Sequence, residues 1–271
     1  MYHKQKDLQL QYEGFSQTPF LWYGKGVFNL EQFAISPTLI SSFNEDITQK
    51  LRLGKLVERF VSFELQHDND ITILAENIQI QQEKLTLGEL DCILKQNTHL
   101  IHLEIIYKFY LYDASVGNSE IDHWIGPNRR DSFIQKLNKL QEKQLPLLYS
   151  SQCKKHLDQL GLDVSEIVQK VYFKAQLFVP LQDINKEFPL VNNECIYGFY
   201  IYSKELSRFS DCKFYIPNKH NWLVTPYPKV DWLNFNAFQN KLQQFLDEEN
   251  APLCWLKKPN GELLKFFVVW W

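Results

Sequence analysis

The most constraining stretch of the chain is THLIHLEIIYKFYLY, residues 98–112. It is rich in β-branched and aromatic residues, and it is too long and too apolar for an edge strand. It predicts a central strand buried on at least one face. Two similar runs precede it, ITILAENIQI and GELDCIL, with short polar turns between them. Three consecutive strands are therefore expected. Before them, Leu53, Leu56, Val57, Phe60 and Phe63 recur at three- and four-residue steps and predict a helix over 51–66.

The central run carries charge. Side chains alternate along a strand, so Glu104, Ile106 and Lys108 share one face and Glu89 and Asp91 share one face of the preceding strand. Charge placed in apolar surroundings is costly unless it is paired or binds a metal. Asp91 and Glu104 on neighbouring strands offer oxygen ligands suited to Mg²⁺ or Mn²⁺. Lys108 beside them would position a water or stabilise a phosphate. An ion pair of the acids with Lys108 accounts for the same residues without a metal. Glu89, next to its turn, either faces solvent or approaches the ion.

Downstream, GPN at 126–128 suits a helix entry and RRDSFIQKLNKLQEKQL reads as an amphipathic helix. Phe133, Leu137 and Leu140 face inward, with Lys136, Lys139 and Lys143 on another face. Residues 123–156 carry seven lysines and arginines against two acids. Arg129, Arg130, Lys136, Lys139 and Lys143 could track a phosphate backbone, or simply form a solvated face. A short helix at 151–160 ending at Gly161 and a strand at 171–179 stopped by Pro180 follow. Beyond 185 the texture changes to short aromatic strands at 196–202, 212–216 and 263–269 and a helix at 234–248. The division expected is a first domain over 1–185 and a smaller α+β domain over 186–271. The first fifty residues read as irregular packing segments around Phe20, Trp22 and Tyr23, with a turn at Gly24-Lys25-Gly26.

Composition narrows the function classes. The net charge of −3 argues against a blanket nucleic-acid coat but allows a local basic groove. Five cysteines, none in a C-x-x-C pair, supply neither a zinc site nor a disulfide framework and suit a cytoplasmic protein. No run of apolar residues is long enough for a membrane span. No phosphate-cradling glycine motif appears, so no nucleotide cofactor is expected. His99 and His102, three apart on a strand, point to opposite faces and do not make a shared metal site. Oligomeric state is not legible.

An acid in a first helix, Asp91 after a hairpin turn, and Glu104 and Lys108 on the central strand resemble the PD-(D/E)XK nuclease superfamily. RLGKLVERF, GELDCIL, HLEIIYKFYLY and GPNRRDSFIQKL also resemble the bacterial family called domain of unknown function 1853. That likeness covers roughly 50–150 and reaches more loosely to the FVVWW tail. The resemblance implies an α/β (α+β) fold with a restriction-endonuclease-like αβββαβ core and a mixed central sheet. It also implies a Mg²⁺- or Mn²⁺-dependent nuclease acting on nucleic-acid phosphodiesters, or a nuclease-fold binding module without turnover. Asp91 and Glu104 match the metal-binding acids, Lys108 the lysine, and Glu58, with Glu64 as the alternative, the first-helix acid. One departure bears on the lysine. The superfamily places Glu and Lys two residues apart, whereas Glu104 and Lys108 are four apart, roughly 13 Å along a strand.

Overall fold

A computed structural model describes residues 2–35, 42–47, 49 and 51–271; the remaining part of the expected irregular N-terminal region lies outside the described residues. The protein is a mixed α/β structure with two compact units. One comprises Phe20–Tyr107 and Gln135–Lys174, here the first unit. The other comprises Met1–Pro19, Lys108–Ile134 and Ala175–Trp271. Each is assembled from separated segments, which differs from the contiguous division into 1–185 and 186–271.

In the first unit, helix α2 (Leu53–Gln66) follows α1 (Tyr2–Ser16) of the second unit in the chain. It buries Leu56, Val57, Phe60, Val61, Phe63 and Leu65, while Lys55, Glu58 and Arg59 stay half-buried on its other side. Strands β1 (Ile71–Gln82) and β2 (Leu85–Gln96) form a long antiparallel hairpin. A second turn at Asn97, left-handed with φ 52°, leads into β3 (His99–Tyr112). As expected, β3 is internal, with β2 on one side and β5 (Ile167–Pro180) on the other.

Between β3 and β5 the backbone forms β4 (Trp124–Ile125), then α3 (Phe133–Lys139). The amphipathic helix foreseen over 129–145 is not uniform. After α3 the chain widens into a π-helical turn at Leu140–Gln144, then tightens into a 3₁₀ turn at Leu145–Tyr149 that contains Pro146. Gly88 on β2 makes room for this segment: a Cβ there would lie 2.8 Å from Leu147. Helix α4 (Ser151–Leu160) starts where the Ser150 hydroxyl accepts from the Cys153 amide. It stops at left-handed Gly161, as read from the sequence.

The second unit contains the end of β3 paired with β4, and the strand order β5, β6 (Ile196–Tyr202), β9 (Leu263–Val269), β8 (Leu253–Lys257), β7 (Lys213–Tyr215). β5, β6 and β9 run parallel, and β8 and β7 close the sheet antiparallel. Helix α5 (Phe235–Asp247) buries Phe238 and Leu242 against this sheet, with the Phe214 and Phe238 rings stacked 4.2 Å apart. Of the α-helices and strands, three were not foreseen, the two-residue β4 among them. α1 buries Leu8, Tyr12 and Phe15 at helical spacing, but its polar run diluted the pattern. β8 is only five residues long.

All five cysteines are free and buried. Among the described residues, no helix is long and apolar enough to cross a membrane.

Candidate active site

The site forms where two strands part. β2 and β3 pair from Gln96↔His99 to Cys92↔Leu103, and no further β2–β3 pair follows. Continuing that register sets Asp91 opposite Glu104. Asp91 itself ends the ladder: its Oδ2 accepts the Ile105 amide at 2.9 Å, a bond that main chain would otherwise make. On the other side, Glu76↔Cys92 and Ile78↔Leu90 place Asn77 across from Asp91. Asn77 is left-handed, with φ 54°, so the hairpin is irregular on both sides of this carboxylate.

Glu58 from α2 and Glu89 from β2 reach the same place. Carboxylate oxygens of Glu58, Glu89 and Asp91 all lie within 4.8 Å of one another. A cavity of about 180 Å³ opens there, lined by Lys55, Glu58, Glu76, Asn77, Asp91 and Ile105 among others. Oxygen donors at this spacing suit a hard divalent cation. The Lys55 ammonium already behaves as a stand-in cation. It donates to Glu58 at 2.7 Å, to Asn77 Oδ1 at 2.8 Å, and to Glu89.

The crowding of carboxylates shows in their proton affinity. Burial, then the charge of Glu104, pushes the Asp91 carboxyl up to about 8 against the Ile105 hydrogen bond. Glu58 adds to the rise and Lys136 opposes it. Glu58 is also raised, chiefly by burial, with Lys55 working the other way. Burial works against the Lys55 charge, but Glu58 and Glu89 outweigh it and its proton affinity rises. These directions share one cause: negative charge gathered where water is scarce.

Glu104 has no exposed surface. Its Oε2 accepts from Gln144 Nε2, and Gln144 Oε1 accepts from Lys136 Nζ at 2.6 Å. His102, also fully buried, places Nε2 3.3 Å from Glu104 Oε1. The tautomer follows from its other nitrogen. Gln169 Nε2 donates to the Leu145 carbonyl and lies 2.9 Å from His102 Nδ1, so Nδ1 accepts and Nε2 carries the proton. His102 Nε2 and Glu104 Oε1 face one another, but neither atom makes a hydrogen bond. The strand pattern alone, two residues before Glu104, was the only signal for His102.

The other residues singled out in the sequence divide as follows. Glu58 joins Asp91, whereas Glu64 accepts from the Tyr172 hydroxyl at 3.0 Å. Lys108 lies in the second unit, where its ammonium is bound to Asp131 at 2.6 Å. Arg129, in the same unit, is paired with Asp113 at 3.0 Å and stacked on Trp271 at 4.4 Å. Arg130 is exposed, as are Lys139 and Lys143 in the first unit. Lys136 is half-buried and donates to Gln144, which in turn donates to Glu104.

No curated protein and no solved structure matches the chain. The family described as Domain of unknown function (DUF1853) matches residues 30–269, spanning the site and most of both units. The chain belongs to this family.

Proposed function

We propose that the protein is a divalent-metal-dependent nuclease-like enzyme that hydrolyses nucleic-acid phosphodiesters, with its centre at Asp91. The observation that carries this reading is the meeting of Glu58, Glu89 and Asp91 within 4.8 Å at a cavity. Asp91, Glu58 and Glu89 would hold Mg²⁺ or Mn²⁺, with the Lys55 ammonium moving aside. The ion, when bound, would lower the pKa of a water and polarise the scissile phosphate. Glu104, held by Gln144, adds a buried carboxylate beside Asp91 and so favours a cation there. The order α2, β1, β2, β3, α3, β5, with the short β4 and helix α4 inserted, further supports a nuclease-like core. Exposed Arg130, Lys139 and Lys143 are the groups left for backbone phosphates, and Arg129 is already committed to Asp113 and Trp271.

The test is cleavage of supercoiled plasmid, single-stranded DNA and RNA with Mn²⁺, comparing wild type with Asp91→Asn and Glu104→Gln. Loss of about 100-fold or more in Asp91→Asn is expected. Cleavage untouched by both substitutions contradicts the assignment. A second reading, a binding module without turnover, is favoured by one feature: Lys55 already neutralises two of the three carboxylates. Nucleic-acid binding with no cleavage of any of the three substrates selects it.

A further inference from the structure

Resting on the nuclease reading above, we infer that Lys136 is the catalytic cation of this centre, in the role the strand pattern gives to Lys108, and that it contacts a non-bridging oxygen of the bound phosphodiester. Three observations lead there. Lys108 belongs to the second unit and is held by Asp131 at 2.6 Å. Lys136 belongs to the same unit as Asp91 and Glu104. Its ammonium is also fixed in series with an acid. Lys136 Nζ donates to Gln144 Oε1, and Gln144 Nε2 donates to Glu104. A single amide therefore reads both charges and can be oriented only one way.

The helix geometry explains how Gln144 reaches both partners. In a regular α-helix a residue eight positions on lies about 80° round the axis. The π-helical turn at Leu140–Gln144 rotates less per residue and brings Gln144 back over Lys136. Such turns recur at functional sites. Lys136 remains half-buried, so part of it faces solvent while it is tethered at the acids. A fixed ammonium beside a bound cation stabilises charge that develops on a phosphate oxygen as the bond to the leaving group breaks.

The experiment uses the full chain as wild type, Lys136→Met, Lys136→Arg and Lys108→Met. Cleavage of plasmid and single-stranded DNA with Mn²⁺ is measured alongside Mn²⁺ affinity by calorimetry. Lys136→Met is expected to lose about 100-fold or more in cleavage. It is also expected to bind Mn²⁺ several-fold more tightly, because a repelling charge is gone. Lys136→Arg, which keeps the charge and guards against loss of fold, recovers part of the cleavage. Lys108→Met stays within about threefold of wild type in both readouts. The inference is overturned if Lys136→Met cleaves within threefold of wild type or leaves Mn²⁺ affinity unchanged, or if Lys108→Met shows the larger loss. Wild type that binds Mn²⁺ without cleaving ends the nuclease reading alone. The lysine assignment is then judged on affinity, with tighter binding by Lys136→Met sustaining it and no change overturning it. Wild type that binds no Mn²⁺ overturns both.

Discussion

Lys265 in the second unit and Asp91 in the first both lose water on folding, and burial drives each toward its neutral form. Lys265 is pushed down to about 7 and Asp91 up to about 8. Their neighbours differ. Lys265 donates to Gln176 Oε1 at 2.9 Å and to the carbonyls of Trp222 and Leu223 at 2.8 and 3.4 Å. Neutral oxygens meet its donors, so the site is complete as it stands. Asp91 instead faces Glu104 and Glu58, whose charges add to the effect of burial. Desolvation is common to both, but only around Asp91 do the neighbouring charges repel the charged form.

The sharpest way to break this contrast is to remove each charge. Lys265→Ala leaves three buried oxygens without their donor and opens a cavity, so a loss of about 3 kcal/mol is expected. At this chain length that lowers Tm by roughly 6–12 °C. Urea unfolding showing a loss under about 1 kcal/mol would mean that the lysine is not a structural tie.

Asp91→Asn should act in the opposite direction and with pH. The folded Asp91 holds its proton to about 8, whereas an unfolded aspartate releases it near 4. Between those values the folded state binds more protons than the unfolded one, so wild-type stability falls as pH rises from about 4 to 8. Asp91→Asn removes that penalty. After allowance for water reaching a half-buried group, a gain of about 1 kcal/mol at pH 8 that vanishes by pH 4 is expected. Thermal melts across this range check it, and a variant less stable than wild type at pH 8 would contradict it.

The smallest effect sharpens the comparison from outside. Lys139 and Lys143 are exposed, so neither desolvation nor loss of a partner attends their removal. Lys139→Ala and Lys143→Ala should each change stability by less than about 0.5 kcal/mol. Both should weaken binding of a single-stranded oligonucleotide more at low salt than at high salt. A melting shift of several degrees would show that these side chains are structural.

Much of the frame around the site is written locally. The Ile-, Leu- and Tyr-rich runs mark β1, β2 and β3 by composition and by the polar turns between them. The alternation of side chains along a strand, with the Cys92↔Leu103 register continued by one step, sets Asp91 opposite Glu104. Parity cannot reveal where a long side chain ends. Lys108 has the right parity, yet its ammonium goes to Asp131. Lys136 looks like one of several lysines on a helix face until Gln144 and Glu104 fix it. His102 looks isolated until Gln169 sets its tautomer. The π-helical turn at Leu140–Gln144 has no local signature in the amphipathic pattern, which runs on through it. The helix acid was left between Glu58 and Glu64 because both neighbour the apolar stripe, and only tertiary contacts separate them.

The central claim is that the carboxylates around Asp91 form a cation site. Calorimetric titration of Mn²⁺ into wild type and Asp91→Asn at pH 6, 7 and 8 tests it most directly. Because Asp91 must release its proton to bind, wild-type affinity should rise by up to about tenfold per pH unit below 8. Asp91→Asn should bind at least about tenfold more weakly, with little pH dependence. No binding by wild type in the millimolar range, or equal binding by the variant, would contradict the account.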